Sequence, residues 1–131
     1  MTLPSPAFSP DWREGRYFDL WMVVHFASGV AGGFSNVFFG LSSSTAALLA
    51  AALMAAWEMI EYWRGITEFW SNRVLDVVIG AAGALVALRI SAFLSHRQQL
   101  WSFSVSMAIA TVLSTLGWLA YRRRIREEGA S

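Results

Sequence analysis

The sequence predicts an all-α protein made of four transmembrane helices in an up-down-up-down bundle, and three observations carry that prediction. Hydrophobic residues fill 56% of the 131 positions and charged residues only 15%, well below the roughly 25% that keeps an ordinary soluble domain wet. The charges crowd the two ends and one middle stretch. Between them run four apolar segments, each near the ~20 residues that a helix needs to cross ~30 Å of hydrocarbon. Four such runs in one short domain leave too little polar chain to cover a soluble core. The composition therefore argues against a water-soluble enzyme and against a disordered chain.

Taken in order, residues 1–17 hold the prolines Pro4, Pro6 and Pro10 and the mixed charges Asp11, Arg13, Glu14 and Arg16. This composition suits a polar tail or interfacial arm. It does not suit a signal peptide, because no positive region leads directly into a short apolar run with a small-residue cleavage site. The membrane domain, 18–121, divides into spans at about 18–39, 44–63, 73–94 and 98–121. Gly40 to Ser44 is a short, uncharged connection in which Gly40 suits a left-handed helix end and the serines suit N-caps. Arg64 to Asn72 is longer and carries Arg64, Glu68, Phe69 and Trp70. Ser95 to Arg97 is tight again, and 122–131 reads as a basic and acidic tail.

Arginine placement predicts the orientation. One side of the membrane receives Arg13, Arg16, Arg64, Arg73, Arg122, Arg123, Arg124 and Arg126, and the other only Arg89 and Arg97. The excess of positive charge in cytoplasmic segments puts both termini in the cytoplasm. Trp12, Tyr17, Phe18, Trp21, Tyr62, Trp63, Phe69, Trp70, Trp118 and Tyr121 lean to the same side, as an interfacial belt.

Other functions are excluded by what the chain lacks. A formal net charge of +1, with no basic stripe along a helix, does not suit nucleic-acid binding. The chain has no cysteine and no lysine, so thiolate metal sites, cysteine nucleophiles and lysine Schiff bases are out.

The informative residues are the ionisable ones inside the spans, because a charge in hydrocarbon costs several kcal/mol unless it finds partners in the bundle. They are Asp19, His25, Glu58, Glu61 and Asp76, with Asn36 and Asn72 as neutral companions. In the predicted topology His25, Glu58 and Asp76 fall at similar depths, roughly 5 to 10 Å from the cytoplasmic boundary at 1.5 Å per residue. Each stands in a row of small residues at helical spacing. The rows are His25, Gly29, Gly32 and Asn36; Ala47, Ala51, Met54, Glu58 and Glu61; and Asn72, Asp76, Gly80, Gly83 and Ala87. Small residues are what close helix contacts in lipid require, so Gly32 and Gly83 are expected at packing surfaces. Architectural readings stand beside the functional one. Asp19 suits an N-cap, Arg73 and Arg64 are spaced to pair with Asp76 and Glu61, and Glu68 and His96 read as interfacial.

In this order, Asp19, His25-Phe26 with Ser28-Gly29, then Trp57-Glu58-Met59-Ile60-Glu61-Tyr62-Trp63, then Asn72-Arg73, Asp76, Gly80 and Gly83-Ala84, the chain resembles the VanZ-like and YjdF-like integral membrane proteins of bacteria. The resemblance covers about residues 19–88, and Gly80 stands where the family pattern has an asparagine. It implies a small protein of the bacterial inner membrane linked to the cell envelope, whose namesake is associated with glycopeptide resistance. It does not supply a reaction.

The residues themselves suggest three roles. Glu58 and Glu61, one helical turn apart, suit a carboxyl pair sharing one proton as acid and base, with His25 as shuttle and Asp76 beside them, acting on a lipid or lipid-linked headgroup. Asn72, Arg73, Asn36 and Asp19 are then the candidate substrate contacts. The set Glu58, Glu61, Asp76 and His25 also suits a divalent metal such as Mn²⁺, Fe²⁺ or Zn²⁺. A second role is binding or transport of a cation or proton, which in a protein this small calls for a homodimer. The third is a non-catalytic membrane accessory protein whose polar groups set helix register. Membrane lipids are the expected partners in each case.

Overall fold

The computed structural model describes Ala7, Trp12, Gly15 and residues 17–66 and 68–128. Pro4, Pro6, Pro10, Asp11, Arg13, Glu14 and Arg16 lie outside the described residues. The described chain is all-helical: α1 (Trp21–Phe34), α2 (Asn36–Phe39), α3 (Ser43–Trp63), α4 (Trp70–Ser91) and α5 (His96–Glu128). Four stretches are long and apolar enough to cross a membrane, with α1 and α2 together forming the first, Trp21–Phe39.

Local chemistry sets each boundary. The first span breaks at Ser35, whose hydroxyl donates to the Gly32 carbonyl at 2.6 Å, a bond that competes with the helix ladder. Gly40 ends α2 with φ 61° and donates its N–H to the Asn36 carbonyl, a conformation that an L side chain resists. Asn36 closes the turn by bonding both the N–H and the carbonyl of Leu41 at 3.0 Å. Ser42 caps α3 by accepting from the Thr45 N–H at 3.2 Å. Ser95 and Gln98 cap α5 reciprocally: Gln98 Oε1 accepts the Ser95 N–H, and Ser95 Oγ accepts the Gln98 N–H.

The third expected span, 73–94, is shifted to Trp70–Ser91, which puts Asn72 inside a helix, and the two ends of the chain also differ from the sequence expectation. The last helix continues to Glu128, so most of the segment expected as a separate tail is helical. Arginine and glutamate are good helix formers and nothing breaks the helix before Gly129. At 33 residues α5 is about 50 Å long and outreaches the hydrocarbon. The described residues of 1–17 are tied to the helices. Trp12 packs edge-on against Trp21 with ring centroids 5.3 Å apart, its carbonyl accepts from Arg124, and the Ala7 carbonyl accepts from Tyr17 and Phe18.

The closest packing joins α1 to α4. A Cβ built on Gly29 would strike the Gly80 carbonyl, one on Gly83 the Phe26 carbonyl, and one on Gly33 the Ala84 carbonyl and Ala87 Cβ. Contact numbers rise together along the two helices, so α1 and α4 run in the same sense. α3 lies against α4 in the opposite sense, with Met54 at Gly80 and Glu58 toward Asp76. α5 runs against α1 and α2, with Trp21 of α1 over Gly117 and Phe38 of α2 edge-on to Phe103 at 5.1 Å. Gly32 departs from expectation, since nothing lies within 4 Å of its built Cβ. The contact face of α1 is the Gly29–Gly33 row, and Gly32 points away from α4. α3 and α5 leave many leucines and aromatics exposed, on helices long and apolar enough to cross a membrane.

This packing predicts opposite outcomes for two glycines. Gly83→Ala should lower the thermal midpoint in mild detergent by several degrees, because backbone cannot yield to a methyl group. Gly32→Ala should be neutral or stabilising by up to about 1 kcal/mol through helix propensity. Equal effects at the two positions would contradict the described α1–α4 contact.

Candidate functional site

The polar residues of three spans meet near one end of the bundle. His25 lies four residues after the start of α1, Glu58 five before the end of α3, and Asp76 six after the start of α4. At 1.5 Å per residue all three are within about 10 Å of their helix ends. His25 Nε2 stands 3.5 Å from Glu58 Oε1 and 3.7 Å from Asp76 Oδ2, and all three side chains are more than nine-tenths buried. The Gly29–Gly80 contact one turn further along α1 sets this separation. A side chain between those backbones would hold His25 away from Asp76.

A second layer holds this triad in place. Asn72, fully buried, directs its amide N–H₂ at Asp19 Oδ2, Glu68 Oε1 and Asp76 Oδ2, and so links the start of α1 to α4 and to the α3–α4 connection. Asp19 also accepts the Trp21 N–H at 2.9 Å and the Gly15 N–H at 3.1 Å. It therefore both satisfies the first N–H of α1 and belongs to the cluster. Burial pushes its carboxyl above the usual range, opposed by these hydrogen bonds.

Arg73 supplies the positive charge. Its guanidinium donates to the backbone carbonyls of Glu58 and Ile66, each at 2.8 Å. The same group lies 3.8 Å from Glu58 Oε2 and 3.6 Å from Glu68 Oε2. It fastens the last turns of α3 and the connection after it onto α4, with its charge near a helix C-terminus where it is favourable.

Of the residues expected from the sequence, the structure brings His25, Glu58, Asp76, Asn72, Arg73 and Asp19 together. Arg73 reaches α3 and Glu68 rather than the Asp76 on its own helix. Glu61 sits at the margin. Its Oε1 accepts the Trp57 indole N–H at 2.8 Å, and it shares a carboxylate group with Glu58 and Glu68. Asn36 does not join, being eleven residues along the span from His25, roughly 16 Å away, where it closes the Leu41 turn. Glu68 is the residue that sequence reasoning placed at the interface and the structure places in the cluster. Its signal was present, since Glu68, Asn72 and Asp76 recur every four residues.

The cluster is unbalanced in charge. Asp19, Glu58, Glu68 and Asp76 surround one guanidinium and one imidazole. Both Glu58 carboxylate oxygens, Asp76 Oδ1 and Asn72 Oδ1 are buried without a hydrogen-bond donor among the described residues. Buried acceptors left in that state are costly, so the arrangement calls for protons or a cation. Two sets of ligand atoms lie within 4.8 Å of one another, His25, Glu58 and Asp76 in the interior and Glu58, Glu61 and Glu68 toward the margin.

No known protein family, no characterised protein and no solved structure matches the chain.

Removing Arg73 should leave buried carboxylates uncompensated. Arg73→Met is expected to cost about 3 kcal/mol or more, read as a lowered thermal midpoint in detergent. Arg73→Lys should not restore it, because a single ammonium nitrogen does not replace the two guanidinium nitrogens that reach the Glu58 and Ile66 carbonyls separately. A wild-type midpoint in either variant would contradict this role.

Proposed function

We propose that the protein is a multi-pass component of a bacterial inner membrane, with both termini cytoplasmic, whose His25–Glu58–Asp76 centre performs acid–base chemistry on a lipid or lipid-linked headgroup at the cytoplasmic leaflet. The observation that carries this reading is the meeting of His25 Nε2 with carboxylates from two other spans, buried yet within about 10 Å of the helix ends, where headgroups lie. Both carboxylates face the same imidazole nitrogen, Nε2, so a proton held there has Glu58 and Asp76 as alternative acceptors. The arginine distribution supports the orientation. The resemblance of residues 19–88 to VanZ-like proteins supports a role in the cell envelope and, through it, in glycopeptide-type resistance.

The charge imbalance favours a second use of the same centre, the relay of protons or a cation across the membrane. Proton-coupled flux in liposomes would select that reading.

The test compares cells producing wild type, His25→Ala, Glu58→Gln or Asp76→Asn, with total lipid extracts analysed by mass spectrometry. Each variant should lose the headgroup change that the wild type causes while keeping expression and detergent stability. Asn36→Ala and His96→Ala should retain the change. Lipid extracts that are identical with and without the wild-type protein would overturn the proposal, as would loss of function only in variants that also unfold.

A further inference from the structure

We infer that His25 Nε2, Glu58 and Asp76 form a binding site for one divalent transition-metal ion. The inference rests on the reading of this triad as the functional centre and names the ion it holds. Geometry carries it first. A charge-assisted hydrogen bond brings its heavy atoms to about 2.7–2.9 Å, and the triad is wider than that, at 3.5 and 3.7 Å from the imidazole nitrogen. Ligands about 2.1 Å from a tetrahedral zinc stand about 3.4 Å apart. The observed separations are those of neighbouring donors around a shared ion.

The unsatisfied atoms are the second, independent observation. Glu58 is 5% exposed and Asp76 1%, yet both Glu58 carboxylate oxygens and Asp76 Oδ1 lack a donor among the described residues. Glu58 Oε1 is turned toward His25 Nε2. Two carboxylates and a neutral imidazole balance a dication, which makes the inner triad neutral inside the bilayer. One imidazole with carboxylate oxygens suits zinc, manganese or ferrous iron, and a chain without cysteine offers no thiolate to draw softer ions.

The surrounding residues fit the same role. Asn72 donates to Asp76 Oδ2 at 3.3 Å, and Arg73 is held beside Glu58 by its two backbone hydrogen bonds. Such outer contacts fix the direction of ligating oxygens. The marginal group is a poorer site, because Glu61 already accepts from Trp57 and Glu68 is engaged by Arg73 and Asn72. Three protein ligands leave a position open for water or substrate, the pattern of a catalytic rather than a structural metal.

The test uses the full-length protein in mild detergent, stripped with chelator and then titrated separately with Zn²⁺, Mn²⁺ and Co²⁺. At least one of these ions should bind at one equivalent per chain and raise the thermal midpoint. Bound Mn²⁺ should show spin-echo modulation from an imidazole nitrogen, and bound Co²⁺ a visible d–d band. Glu58→Gln and Asp76→Asn should weaken binding at least tenfold, whereas Glu61→Gln and His96→Ala should bind as wild type. His25→Gln should remove the nitrogen modulation. The inference is overturned if none of the three ions binds wild type at equimolar concentration, or if binding is equal in all variants. Should metal binding fail while His25→Ala, Glu58→Gln and Asp76→Asn still abolish the lipid change, the acid–base reading stands without the ion.

Discussion

A titratable side chain in hydrocarbon has no water to solvate it, so its position is decided by whichever protein groups reach it. In this chain that constraint falls on His25, Glu58 and Asp76, which come from three spans and are tolerable in the bilayer only where they meet. Much of the rest follows from keeping them together. Arg73 ties the end of α3 to α4 through two carbonyls, and Asn72 ties Asp19, Glu68 and Asp76 into one network. The result is a polar centre held by backbone and amide contacts, with both Glu58 carboxylate oxygens and Asp76 Oδ1 left without a donor among the described residues.

The apolar half of the molecule serves the same end. Association of helices in lipid gains little from hydrophobicity and depends on close approach. Gly29 and Gly33 on α1 and Gly80 and Gly83 on α4 allow backbone to meet backbone directly beyond the polar cluster. That contact sets both the depth and the separation of His25 and Asp76. α3 approaches through Met54 and Glu58, and α5 closes the other side of the first span, through Gly117 at Trp21 of α1 and Phe103 at Phe38 of α2.

The four spans, the Gly40 turn and the serine caps were legible in the sequence because they depend on local properties: run length, a residue that tolerates positive φ, and a hydroxyl placed before a helix. The convergence of His25, Glu58 and Asp76 was also legible, since alternating direction and equal depth bring them level. Gly32 and Asn36 were not. Helical spacing groups them with His25 and Gly29, but the neighbouring helix meets the Gly29–Gly33 row, a choice made by shape across the interface. Glu68 carried a signal in its four-residue spacing to Asn72 and Asp76, but its position in the α3–α4 connection made it read as interfacial, and only the folded connection brings it to Asn72 and Arg73. Arg73 sits within reach of Asp76 by helical spacing, yet the backbone carbonyls of α3 and its connection hold it elsewhere.

The contact between one imidazole and two carboxylates from separate helices defines the centre. Solid-state NMR of the protein in lipid bilayers measures it directly, with ¹⁵N-labelled histidine and ¹³C-labelled aspartate and glutamate. The chain has only two histidines, so His96→Ala isolates the His25 signals. Dipolar transfer from the His25 side-chain nitrogens to both the Glu58 and the Asp76 carboxyl carbons is the predicted result. Transfer to neither, in a protein that is folded and inserted, would contradict the centre on which every functional conclusion depends.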